Sequence, residues 1–186
     1  DWTFLDPIVP SANPLEKLTI ALARQFENKS QKAIREDLLD RSTRGLHRLA
    51  CEISEKPVVL YIDQFEEVFT LGDDEDARDS FLANLWYAVN QDNSRLRLVI
   101  TLRADFYDRP LHYPEFGQLL KDNTEIVLPL HLQELESTIL EPAKRVGLTV
   151  DSTLVNAILA DVNNQAGALP LLQYALTELY ERRQGQ

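Results

Sequence analysis

At 186 residues the chain can build one sizeable hydrophobic core and the start of a second subdomain. Its 19 Lys and Arg against 30 Asp and Glu give a net charge of -11, which argues against the basic face a nucleic-acid partner requires. One cysteine, Cys51, excludes an intramolecular disulfide framework, and no apolar run reaches the ~20 residues that cross a bilayer. A cytoplasmic domain with neither nucleic-acid nor membrane partners is therefore expected. The lack of any Met predicts a piece of a longer polypeptide.

Trp2–Val9 mixes aromatic and branched residues and predicts a strand, interrupted by Pro7. Asn13 is placed to cap the next helix, with Pro14 at its first position. Leu15, Leu18, Leu22 and Phe26 follow as an apolar stripe at helical spacing. Helices are expected over Gln31–Asp40 and Ser42–Ile53, the second turning Leu46, Leu49, Ala50 and Ile53 inward and burying Cys51 as an inert thiol. Pro57 ends that helix. Val58–Ile62 has no polar alternation, the pattern of a strand buried on both faces of a parallel sheet.

Asp73, Asp74, Glu75, Asp76 and Asp79 predict a solvated loop leading into a helix that carries Phe81, Leu82, Leu85, Trp86 and Val89. Leu98–Leu102 then predicts a second interior parallel strand, completing a right-handed βαβ unit. Ile126–Leu130 predicts a short strand that ends at Pro129 or lies near an edge. From Gln133 the pattern is helical only. Leu135–Val146 is interrupted at Pro142, Asp151 or Ser152 caps the next helix, and Gly167–Pro170 opens the last. The expected division is an α/β part over residues 1–130 and a helical part over 131–186.

Three constellations could carry chemistry. Asp63 emerges at the carboxyl end of the buried Val58–Ile62 strand, where parallel sheets bind ligands, and Glu66 and Glu67 follow at once. This is a Walker B type of arrangement: the aspartate holds a hydrated divalent cation and a following glutamate polarises water. The structural alternative is a set of solvated acids that open a helix and complement its dipole. Arg103 and Asp105 stand past the neighbouring strand, with Arg103 able to approach Asp63 and Glu67 and sense a phosphate; alternatively it forms a structural ion pair with Asp63, Asp105 or Asp108. Gly167-Ala168-Leu169-Pro170 is, in itself, a turn into a helix. His47, His112 and His131 lack metal-ligand spacing, and no serine sits in a nucleophile elbow. No G-x-x-x-x-G-K-[ST] occurs anywhere.

In this order the motifs resemble the STAND class of P-loop NTPases, in particular a bacterial group whose Walker B reads DQFEE, as Asp63–Glu67 does. Leu98–Arg109 looks like that group's fourth core strand with its arginine sensor, and Gly167–Leu176 is similar to its Gly-x-Pro segment. The resemblance is specific over about residues 57–183 and looser over 1–56. It implies an α/β fold, a partial P-loop NTPase-type three-layer parallel sheet with helices on both faces, followed by an all-helical subdomain. It implies Mg²⁺ and ATP or GTP in the parent protein, used as a conformational and oligomerisation switch in signal transduction, often beside WD repeats. Asp63 would hold magnesium, Glu67 or alternatively Glu66 would act on water, Arg103 would sense phosphate, and Pro170 would lie against the nucleotide. The phosphate-cradling loop and its lysine should lie upstream of Asp1, so this piece alone is expected to bind nucleotide poorly, without a cofactor of its own. The missing strand would leave open edges that invite association with a second copy.

Overall fold

The apolar run Val58–Ile62 forms β2, the middle strand of a three-stranded parallel sheet ordered β1-β2-β3. β1 is Thr3–Phe4 and β3 is Leu96–Ile100, in register as Phe4–Val59–Arg97 and, beyond β1, Ile62–Ile100. This computed structural model describes residues 2–40, 42–162 and 167–183. Two compact units result, Asp1–Thr124 and Glu125–Gln186.

In the first unit, α1 (Pro14–Ala23), α2 (Gln31–Leu38) and α3 (Gly45–Ile53) lie between β1 and β2 in the chain. The short α4 (Glu67–Thr70) and the longer α5 (Glu75–Val89) join β2 to β3. A 3-10 turn at Ala104–Phe106, α6 (Asp108–Leu111) and α7 (Pro114–Asn123) complete the unit. Leu18, Leu22, Ile34, Leu38, Leu46, Leu49, Phe81 and Leu85 from the helices are fully buried against Val58, Leu60 and Ile62. Each such side chain contributes about 1.5–3 kcal/mol by leaving water. The acidic loop does enter a helix, with the Asp74 carboxylate accepting the Ala77 N–H at 2.9 Å.

The period-two rule puts Val59 on the opposite sheet face, outside that core. There Phe4 is 68% exposed and Val99 51% exposed. Among the described residues, the main core of this unit lies on the sheet face of Val58, Leu60 and Ile62.

Several sequence expectations need correction. The strand expected over Trp2–Val9 is reduced to Thr3–Phe4 plus a single parallel bridge between Ile8 and Ile62, because Pro7 has no N–H to continue the ladder. The second long strand is Leu96–Ile100 rather than Leu98–Leu102, and it stands at an edge of the described sheet instead of in its interior. Ile126–Leu130 is not a strand: it carries no regular secondary structure, with Val127 92% exposed and no ladder partner among the described residues. Pro129 removes one of the few donors such a segment could offer. Asn13 occupies the cap position of α1 without a side-chain cap bond, and only its carbonyl takes part, accepting the Lys17 N–H at 3.2 Å. Cys51 is half-buried, with its Sγ 3.9 Å from His47 Nε2.

The second unit consists of α8 (Leu132–Arg145), α9 (Ser152–Val162) and α10 (Ala168–Glu181). Leu135 and Ile139 of α8, Val155 of α9 and Leu172 of α10 form its small core. α8 continues through Pro142 rather than breaking there. Asp151 caps α9, its Oδ1 accepting the Thr153 N–H at 2.7 Å. Gly167 precedes α10 with φ +75°, a left-handed turn that glycine enters without a Cβ penalty.

Candidate functional site at the end of the central strand

β2 carries Asp63 out at its carboxyl end, and the chain turns sharply there because Gln64 adopts φ +53°. The turn is stitched to both neighbours. Asp63 N–H donates to the Ile8 carbonyl at 2.9 Å, and Phe65 N–H donates to the Thr101 carbonyl at 2.9 Å. Phe65, fully buried and stacked on Phe116, anchors the far side of the turn in the core.

Asp63 Oδ1 collects three donors: the Thr101 hydroxyl at 2.5 Å, the Gln64 N–H at 3.1 Å and the Tyr61 hydroxyl at 3.3 Å. The alternation of β2 explains Tyr61, which lies two residues back on the same face. Register explains Thr101, one step beyond the Ile62–Ile100 pair. Oδ2 has no hydrogen-bond partner among the described residues. The carboxylate is thus held by one oxygen and free at the other. Sequence reasoning assigned no role to Tyr61 or Thr101, although both positions follow from strand periodicity.

The two glutamates diverge. Glu66 is 7% exposed, and its Oε2 lies 3.4 Å from the Arg103 N–H, toward β3. Glu67 opens α4 and sends Oε2 the other way, accepting the Ser11 N–H at 3.0 Å in the loop after β1. No sequence signal marks that contact, since a backbone donor 56 positions away carries no side-chain signature.

Arg103 stands just past β3, and its guanidinium is spent on Asp105 rather than on Asp63 or Glu67. This fork holds the Asp105 carboxyl below its ordinary range and raises Arg103, chiefly through their hydrogen bonds. The Arg103 side chain is 67% exposed and lies over the Phe106 ring at 5.5 Å. Pro170 is exposed in the first turn of α10, within the second unit.

Among the described residues no group of three or more His, Cys, Asp or Glu side chains could hold a metal ion by itself. A free oxygen on a single carboxylate nevertheless fits Mg²⁺, which keeps most of its waters and takes one or two carboxylates beside phosphate oxygens. No glycine-rich loop of the phosphate-cradling kind is present in the sequence. A cleft of about 360 Å³ between α1 and α2 is lined by Glu16, Ile20, Gln31 and Arg35, apart from all of these groups. No described helix is long and apolar enough to cross a membrane.

The parallel sheet thus ends its central strand in an aspartate held through one oxygen, with two acids following and an arginine just past the neighbouring strand. The chain belongs to the novel STAND NTPase 1 family (nSTAND1), whose family model matches residues 1–186, and through it to the STAND class of NTPases. Comparison with curated proteins and with solved structures gave no significant match.

Proposed function

We propose that this chain is the strand-end half of a Mg²⁺-nucleotide switch in a cytoplasmic signalling ATPase. The observation that carries the reading is Asp63, fixed through Oδ1 at the end of the central strand and open at Oδ2. In this reading Asp63 holds the cation, one of Glu66 and Glu67 polarises the attacking water, and Arg103 reports the terminal phosphate after leaving Asp105. Pro170 couples the nucleotide's state to the helical unit. Mg²⁺ would neutralise charge on the phosphates and hold them in line for attack.

The same reading makes this chain alone a poor nucleotide binder, because it has no backbone cradle for phosphates. The outward backbone groups of Leu98 and Ile100 on β3, and the uncovered face with Phe4 and Val99, suit a further parallel strand and its helix. Other domains of the same polypeptide would sense the signal and deliver the output.

The reading is tested by calorimetric titration of Mg²⁺-ATP into the full-length protein and into this chain. Micromolar binding by the full-length protein that is lost in Asp63→Ala supports it. Full-length protein that binds no nucleotide in a Mg²⁺-dependent way sinks it. A second reading, a non-catalytic interaction module, is favoured by the Arg103–Asp105 fork and the Glu67–Ser11 bond, which use two of the candidate groups structurally.

A further inference from the structure

We infer that Glu67 is a positioning residue, a latch that fastens the loop between β1 and α1 onto the end of β2, which leaves Glu66 as the carboxylate available to the strand-end site. The assignment of Glu66 rests on the proposed function; the latch does not.

The loop in question leaves the sheet at Ile8, whose N–H bonds the Tyr61 carbonyl at 3.0 Å, and re-enters regular structure at Pro14. Pro10 is buried, and Ser11 sits at φ +54°, a left-handed conformation that a non-glycine residue keeps only when its surroundings impose it. The imposing contact is the Glu67 carboxylate on the Ser11 N–H at 3.0 Å, partly screened from water. A charge-assisted bond of this kind is among the stronger hydrogen bonds a loop can receive. Gly72 closes on the same loop, since a Cβ there would meet the Ala12 carbonyl oxygen at 3.3 Å. The loop is therefore gripped from α4 and from the turn after it.

Glu67 cannot hold the Ser11 N–H with Oε2 and swing across β2 to the Asp63–Thr101 side at once. Glu66 already lies on that side, beside the Arg103 backbone. The division of labour follows from direction: one acid faces β1 and its loop, the other faces β3 and the arginine.

The test is amide hydrogen exchange at Ser11 in this chain, compared among wild type, Glu67→Gln, Glu67→Ala and Glu66→Gln. Glu67→Gln keeps a carbonyl acceptor, so exchange should rise only a few-fold, whereas Glu67→Ala should accelerate it about tenfold or more. Glu66→Gln should leave Ser11 within about twofold of wild type. If Glu67→Ala fails to fold, the Gln variant still decides, through the amides of residues 11–13 compared with those of α5. Unchanged Ser11 protection in a folded Glu67→Ala, or loss of it in Glu66→Gln, overturns the latch. In full-length protein with nucleotide bound, loss of Ser11 protection would show that Glu67 leaves for the site and would overturn the assignment of Glu66. Failure of nucleotide to bind at all would remove that assignment together with the proposed function, while the exchange data in the short chain would still stand.

Discussion

Arg103 and Asp105 form a forked ion pair two residues apart, with Nε 3.1 Å from Oδ1 and Nη2 2.7 Å from Oδ2. The guanidinium is therefore engaged. It is parked on a neighbour, and any phosphate it met would have to compete with that carboxylate. Both side chains are well exposed, so the pair is worth little to stability. Its value lies in setting where the arginine rests.

Asp105 should titrate below the ordinary carboxylate value of about 3.9. Because its folded-state value is depressed, the pair's contribution is present at pH above the unfolded value and disappears as pH falls through the folded one. NMR detection of the Asp105 carboxyl carbon should show the low midpoint, and Arg103→Ala should move it up toward 3.9. A midpoint indifferent to that substitution would show that Arg103 does not engage Asp105 in solution.

Asn84 is fully buried in α5 and clasps three elements. Its Oδ1 accepts the Leu46 N–H at 3.2 Å, and its Nδ2 donates to the carbonyls of Leu38 at 2.8 Å and Ser80 at 2.9 Å. Asn84→Ala strands the Leu46 N–H in the first turn of α3 and the Leu38 carbonyl at the end of α2, and leaves a small void. Each buried orphan costs about 1–3 kcal/mol. Urea denaturation should show a loss of about 2–4 kcal/mol, with Asn84→Asp recovering only the acceptor half.

The periodic parts of the chain were legible because their partners are generic. Leu46, Leu49, Leu60 and Phe81 need only an apolar environment, and the sequence spacing puts them in one. Asp63 at a strand end was legible for the same reason, since it follows a five-residue apolar run. Ile126–Leu130 misled because a strand is defined by what it pairs with, and apolar composition alone supplies no partner. Asn84, a polar residue at a core position, carried no mark of its two long-range bonds, to Leu46 and Leu38. The opposite headings of Glu66 and Glu67 were also hidden, because adjacent residues at the start of a helix point about 100° apart and only the fold says toward what.

Gly45 opens α3 where it passes the end of α2. A Cβ on Gly45 would stand 2.0 Å from the Asp37 carbonyl oxygen and 2.5 Å from its carbon, and backbone on that side cannot yield as a side-chain tip does. Gly45→Ala should therefore destabilise the first unit by about 1–3 kcal/mol or more, despite the usual gain of alanine over glycine in a helix. A thermal melt showing equal or higher stability would mean that α2 and α3 are not this close.

The open side of the sheet should make this chain associate with itself. Trp2, Phe4 and Val99 are exposed on or beside it, and among the described residues the outward N–H and C=O groups of Leu98 and Ile100 form an unpaired strand edge. A net charge of -11 opposes the approach of two copies. Screening that repulsion shortens its reach to about 8 Å at physiological ionic strength and about 3 Å at 1 M salt. Association should therefore strengthen with salt, the reverse of an ion-pair interface. Sedimentation velocity at rising concentration should detect dimer, more of it at high salt. Val99→Lys places a cation on the apolar face at the edge strand, a substitution that natural sheets use against edge pairing. It should weaken the dimer about tenfold or more, a change of about 1.4 kcal/mol. A monomer at all salt concentrations, or a dimer that Val99→Lys leaves intact, would place the sticky surface elsewhere or nowhere.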